Sequence, residues 1–199
     1  MSILHVFAGS NDKEVRLKQL IAYVVASPEK KRWQGLSFSQ NPNMVKMYGI
    51  PDQGSLSEIY AAMILPHIAY GYPGRRLCYH CLIDFNGLLG ASDAGVVAWE
   101  INRFLLQYGV QYVQGVHINK SNGQRFWPHV HVLINTISLF GPKQGRKFRI
   151  EKPVLRKYME HMNRILAEYA LPVIPIYTRK IRLDKKEHEY DITDKKDLF

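Results

Sequence analysis

Apolar residues recur along this chain with two periods, and the switches between them predict its elements. Leu17, Leu20, Ile21, Val24 and Val25 fall at helical spacing. Asn11 or Asp12 can cap that helix, and Ser27-Pro28 stops it. A second helix is predicted from Ser57 to about Tyr70, with Ile59, Met63, Ile64 and Ile68 inward. A third runs from the cap Ser92-Asp93 to about Tyr108, with Val96, Val97, Ile101, Phe104 and Leu105 inward, and Gly109 ends it. Pro153 opens a fourth, whose inward positions are Leu155, Met159, Met162, Ile165, Leu166 and Tyr169, and Pro172 and Pro175 close it.

Strand-like runs separate these helices. They are Leu4 to Phe7, Gly35 to Gln40, Arg76 to Phe85, Val113 to Ile118, and the run through His129 to Phe140. Asn41 to Gly54, with two prolines and two glycines, reads as a loop holding a helical turn at Met44 to Tyr48. Gly141 to Gly145 turns the chain towards Arg146 to Ile150. Strand pairs with long helices between them predict an α+β fold around a mostly antiparallel sheet. One domain is expected over residues 1–180, with 181–199 a charged tail or linker.

Two strands carry the chemistry. His129 and His131 are two residues apart in a β-branched run, so both imidazoles share a sheet face. Lys120 to Gln124 reads as a hairpin turn, and His117 and His129 are each six residues from Gly123, which sets them opposite one another. Three converging imidazoles suit a divalent ion such as Zn, Mn, Ni or Co and leave positions open for a substrate oxygen. An HxH pair alone equally fits two polar residues on a solvated strand face, and the third histidine at hairpin register favours the metal. In Arg76 to Phe85, Tyr79, Cys81 and Ile83 share one face while Cys78, His80, Leu82 and Asp84 share the other. His80 is expected at the surface or against DNA.

Composition narrows the classes. A net charge of +10 and a pI near 9.6 favour a polyanionic partner, nucleic acid foremost. The density is local: Lys143, Arg146, Lys147, Arg149, Lys152, Arg156 and Lys157 are opposed only by Glu151. Arg125, Phe126 and Trp127, just ahead of the HVH run, could stack on unpaired bases and hold the backbone; Trp127 packing over the hairpin is the plainer alternative. No apolar run is long enough to span a bilayer and no secretory signal is evident, so the cytoplasm is expected. Cys78 and Cys81 form a CxxC within a strand, where they point to opposite faces, so neither a disulfide nor a zinc knuckle is expected.

A histidine, a short hairpin and then HxHxxxN (His117, His129-Val130-His131, Asn135) resembles the third motif of conjugative relaxases of the MobA type, mobilization nucleases of the HUH endonuclease superfamily. Leu20 to Lys30, LIAYVVASPEK, is similar to their tyrosine-bearing first motif, and Arg75 to Phe85, RRLCYHCLIDF, to the strand that follows. The resemblance runs from about Leu20 to Leu171. It implies that Tyr23 is the nucleophile, although periodicity alone reads Tyr23 as an aromatic at the rim of the core.

The resemblance also implies one divalent ion on His117, His129 and His131, Mn or Mg foremost, with Zn, Ni or Co also compatible. The reaction it implies is site-specific nicking and rejoining of single-stranded DNA at a transfer origin, through a 5′-phosphotyrosine and with accessory mobilization proteins as partners. Relaxases of this type often have Asp two residues after the first histidine, where this chain has Asn119. Asp84 is the first choice for a carboxylate that orients a histidine or takes the tyrosyl proton, and equally a turn former ahead of Asn86-Gly87. Tyr48, Tyr60 and Tyr79 are rival nucleophiles outside any comparable motif. The alternatives are a replication initiator or transposase of the same superfamily, a hydrolase using water, and a DNA-binding module without catalysis. The first fits less well because those families usually place the tyrosine after HxH.

Overall fold

The computed structural model describes residues 3–7, 14–25, 44–51, 55–72, 76–121 and 124–174. The expected strand at 35–40, the cap at 11–12 and the tail at 181–199 lie outside them. The described elements run β1 (Ile3–Phe7), α1 (Glu14–Val25), β2 (Val45–Tyr48), α2 (Leu56–Ala69), β3 (Cys78–Asp84), α3 (Ala91–Asn102), β4 (Val110–Ser121), β5 (Gln124–Ser138) and α4 (Lys152–Glu168). The strands form one sheet in the order β1-β3-β5-β4-β2, with every neighbouring pair antiparallel. This is the α+β architecture the periodicity predicts.

Alternation along the strands gives the sheet two buried faces, each with its own core. Val113 of β4, Leu133 of β5 and Cys78 of β3 pack under Leu17, Leu20, Ile21, Val24 and Val25 of α1 and Ile59, Met63 and Ile64 of α2. Val130, Val132 and Ile134 of β5 with Tyr79, Cys81 and Ile83 of β3 pack under Val97, Ala98 and Ile101 of α3 and Leu155, Tyr158, Met162, Ile165 and Leu166 of α4. Each fully buried Leu, Ile or Val contributes roughly 1.5–3 kcal/mol of transfer free energy, which is what holds the short helix α1 on the sheet. Cys78 and Cys81 are free thiols buried on opposite faces.

Local expectations are corrected: α3 starts at Ala91 behind Gly90, so Ser92-Asp93 lie inside its first turn instead of capping it, and Tyr169 past the end of α4 is 45% exposed. Met44 to Tyr48 is no helical turn: Val45–Tyr48 is an edge strand paired with β4 through Val45↔Gly115 to Tyr48↔Tyr112, and the ladder satisfies its backbone groups. Ser55, not Ser57, caps α2, through a capping box in which Ser55 Oγ accepts from the Glu58 N–H and the Glu58 carboxylate from the Ser55 N–H. On α2 it is Pro66 and His67 that are buried, whereas Ile68 is 63% exposed. Ile59, Met63 and Ile64 are buried as their spacing predicts, but apolar residues around the second half of the helix, Leu65 and Ile68 among them, blur where the stripe ends.

Asn135, the last residue of the HxHxxxN pattern, has a structural role. The β4–β5 register shifts between Val110↔Ser138 and Tyr112↔Ile134, and the Asn135 amide repairs the break. Its Oδ1 accepts from the Ile137 N–H at 3.0 Å and from His67 Nε2 at 2.9 Å, while its Nδ2 donates to Met63 O and Gln111 Oε1, each at 2.9 Å. One buried amide thereby knits α2, β4 and β5 together.

Candidate metal centre and nucleophile

The β4–β5 hairpin pairs His117 directly with His129, in the register that its symmetry about Gly123 predicts. His131 follows on the same face, opposite Gly115. All three histidines are buried, and each offers a ring nitrogen within 4.8 Å of the others. Three nitrogens bonded to one ion at about 2.1 Å would lie roughly 3.4 Å apart, so a small inward adjustment closes the set. The donor chemistry fits a divalent transition ion: three buried imidazoles that converge on one point. The His131 pKa lies well below the ordinary value, first through burial and then through the neighbouring histidines, so His131 keeps its lone pair at neutral pH.

Tyr23 lies over this triad. Its hydroxyl is 3.3 Å from His131 Nε2, and its ring meets His117 and His131 edge-on at centroid distances of 4.8 and 4.9 Å. A single glycine permits the approach. A Cβ on Gly115 would fall 1.8 Å from Val24 O, so only glycine lets the last turn of α1 rest on β4. There His117 Nε2 is 3.2 Å from Val24 O, a carbonyl in the last turn of α1, where no intrahelical N–H partners it. Helix end and histidine strand therefore share one hydrogen bond, 93 residues apart in sequence.

The rival tyrosines lie elsewhere. Tyr48 stacks on Tyr112 over the α3/α4 core, and Tyr79 is buried in that core, on the other side of the sheet from the histidines. Tyr60 donates to Glu14 Oε2 at 2.8 Å, and desolvation with that carboxylate pushes its pKa up to about 12, the wrong direction for a phenolate.

Asp84 sits opposite His129 in the β3–β5 register, but its carboxylate accepts the Asn86 N–H at 2.7 Å and so shapes the turn. The expectation for His80 is overturned. It is 3% exposed, and its Nε2 lies 2.8 Å from His131 Nδ1. β3 is an interior strand, and at His80 its face is closed over by His131 and by the Tyr23 ring, 6.3 Å away between centroids. Arg16 was also missed: it is half-buried on α1 and its charge is felt at His80. Its signal was the seven-residue spacing from Tyr23, two helical turns on one face.

The basic cluster is far from this centre. Lys143, Arg146, Lys147 and Arg149 line a cavity of about 120 Å³ with Tyr108, Ser138, Phe148 and Val154. Ser138 ends β5, seven residues from His131, which at about 3.3 Å per residue is roughly 20 Å away. Lys143 Nζ stands 5.2 Å over the Tyr108 ring, and Arg149 approaches Glu151 at 3.8 Å. Of Arg125 and Trp127 the structure describes only the backbone, in the first turn-side residues of β5 ahead of the histidines.

No protein-family model and no curated protein sequence matches the chain. Among solved structures it is similar to the Mn-bound crystal structure of the MobM relaxase domain (MOBV; Mob_Pre) bound to plasmid pMV158 oriT DNA. The TM-score is 0.55 at 14% identity, over 93% of this chain and 94% of that one. The chain has the fold of a relaxase domain. Within that fold, the hairpin histidines and the tyrosine at the end of α1 meet on one face of the sheet. No helix among the described residues is long and apolar enough to cross a membrane.

Proposed function

We propose that this chain is a metal-dependent DNA relaxase that nicks and rejoins one strand at a transfer origin, mobilizing a plasmid or integrative element. The observation that carries the reading is the Tyr23 hydroxyl 3.3 Å from His131 Nε2, over three buried histidines. MobM binds oriT DNA and Mn on the same fold, which supports both the partner and the cofactor. A divalent ion on His117, His129 and His131, Mn or Mg foremost, would draw charge from the non-bridging oxygens of one phosphate.

The chain's own groups then do the rest. Tyr23 Oη attacks phosphorus in line, the phenol gives up its proton, and the departing 3′ oxygen takes one up. The result is a 5′-phosphotyrosine and a free 3′ hydroxyl. The tyrosyl ester keeps the phosphodiester energy, so the reverse attack by a 3′ hydroxyl rejoins the strand, as strand transfer requires. Arg16, on the same face of α1, would add positive potential as charge builds on the phosphate. Arg125 and Trp127 would hold the bases next to the cut. Lys143, Arg146, Lys147 and Arg149 would contact phosphates on DNA that extends about 20 Å beyond it.

The test is Tyr23→Phe with an oligonucleotide trapped at the nick. Removing one hydroxyl leaves the fold and metal binding intact while cleavage and covalent attachment vanish together. Mass spectrometry locates the adduct: a phosphate on Tyr48, Tyr60 or Tyr79 refutes the assignment, and cutting by Tyr23→Phe identifies water as the nucleophile.

A further inference from the structure

An imidazole can present a lone pair at one nitrogen only if its proton sits on the other, so the partner of the second nitrogen decides where the first one aims. For His131 the two nitrogens face different ways. Nε2 lies 3.3 Å from the Tyr23 hydroxyl, and Nδ1 lies 2.8 Å from His80 Nε2, which leaves Nε2 as the nitrogen open to an ion. To accept from Tyr23 or to bind an ion, Nε2 must be bare. Nδ1 then carries the proton and donates it, and His80 Nε2 must be the acceptor, with the His80 proton on its own Nδ1.

His80 is well suited to that one state. It is buried on an interior strand, its ring 5.0 Å from that of His131 and tilted by 31°. An imidazole with one N–H always leaves its other nitrogen bare, and at 2.8 Å only one of the two facing nitrogens can carry a proton, so His80 Nε2 can serve as the acceptor. A carboxylate is the more usual partner of a ligating histidine. Here the position behind His131 is taken by the His80 imidazole, while Asp84, the carboxylate opposite His129 in the β3–β5 register, bonds the Asn86 N–H.

We propose that His80 is a positioning residue: a neutral imidazole that accepts the His131 Nδ1 proton and thereby aims the His131 Nε2 lone pair at the metal position and at Tyr23. A neutral acceptor has a consequence that a carboxylate would not. It adds no negative charge behind the triad, so the full positive charge of a bound ion remains available to the phosphate. The metal half of this inference rests on the function proposed above, whereas the tautomer half stands on the metal-free protein.

Two variants and two measurements test it. His80→Phe keeps the ring volume and removes the acceptor, and His80→Gln restores an acceptor, because Gln Oε1 reaches about as far as His Nε2. In metal-free protein, long-range ¹H–¹⁵N NMR should find His131 as the Nδ1–H tautomer in wild type and His80→Gln, and shifted towards Nε2–H in His80→Phe. Calorimetry with Mn²⁺ alone should show affinity falling roughly 10–100-fold in His80→Phe and returning close to wild type in His80→Gln. A wild-type His131 protonated at Nε2 overturns the inference, as does equal Mn²⁺ affinity of all three proteins or equal weakness of the two variants, which would mean mere packing. If wild type binds no Mn²⁺, the metal reading fails, and the tautomer alone decides whether His80 positions His131 for Tyr23.

Discussion

The two ends of β5 carry the two kinds of nitrogen this protein is rich in, under opposite physical regimes. At the hairpin end, His129 and His131 are buried with His117 and His80, and burial holds the pKa of His131 well below its ordinary value, leaving its lone pair usable. At the other end, Lys143, Arg146 and Arg149 are exposed around an open cavity, where water and salt screen their mutual repulsion. Burying that cationic set would be prohibitive, and exposing the histidines would forfeit the dry, preorganised contact with Tyr23. The molecule thus sets a buried histidine cluster and an exposed basic patch at opposite ends of one strand and its following turn, with the Asn135 amide seam between them; in the proposed function these ends do bond chemistry and sequence-independent grip.

The largest effect that would break this division lies at the hairpin end. His117→Ala, His129→Ala or His131→Ala should each cost more than the roughly 10–100-fold in Mn²⁺ affinity that losing an outer partner costs. Undiminished binding by all three, measured by calorimetry, would sink the metal assignment. Gly115→Ala comes next. Its methyl cannot coexist with Val24 O, so α1 must lift or the fold must strain, at a cost of roughly 1–3 kcal/mol. Thermal unfolding should register that loss, and DNA cleavage should fall further than Mn²⁺ affinity, because Tyr23 moves while His129 and His131 do not. Unchanged melting and cleavage would show that the close approach is dispensable.

The far end should respond differently. Neutralising Arg146, Lys147 and Arg149 together should lower the slope of log affinity against log salt by up to about 2 for a single strand and leave Mn²⁺ affinity untouched. The loss should appear only with oligonucleotides long enough to reach some 20 Å from the cut. The same loss with a short oligonucleotide would place the patch beside the active site after all. The smallest effect concerns the seam. Burial lowers the His67 pKa, despite its bonds to Asn135 and Leu77 O, so the unfolded chain takes up a proton here first. Stability is therefore complete above the unfolded value of about 6.5 and declines as pH falls below it. His67→Gln, which can still donate to Asn135 and Leu77, should flatten that acid limb in denaturation curves, and an identical limb would assign the acid loss to other groups.

Local pattern determined a good deal of this by itself. Period-two alternation places His129 and His131 on one face, and the symmetry of the hairpin about Gly123 pairs His117 with His129, because register in a tight hairpin is a local property. The α+β class and the mostly antiparallel sheet also follow from the alternation of the two periods. The place of Tyr23 was legible only through the resemblance of its motif, since helical periodicity says which way α1 faces and not which strand it covers. Only the tertiary structure decided that His80 is buried against His131 and that Asp84 serves a turn. It alone decided that the chain's longest basic run lies at the far end of the sheet from the histidines. Each of these depends on which segments become neighbours across tens of residues. Long-range packing sets that: Gly115 admits α1, and the strand order makes β3 an interior strand.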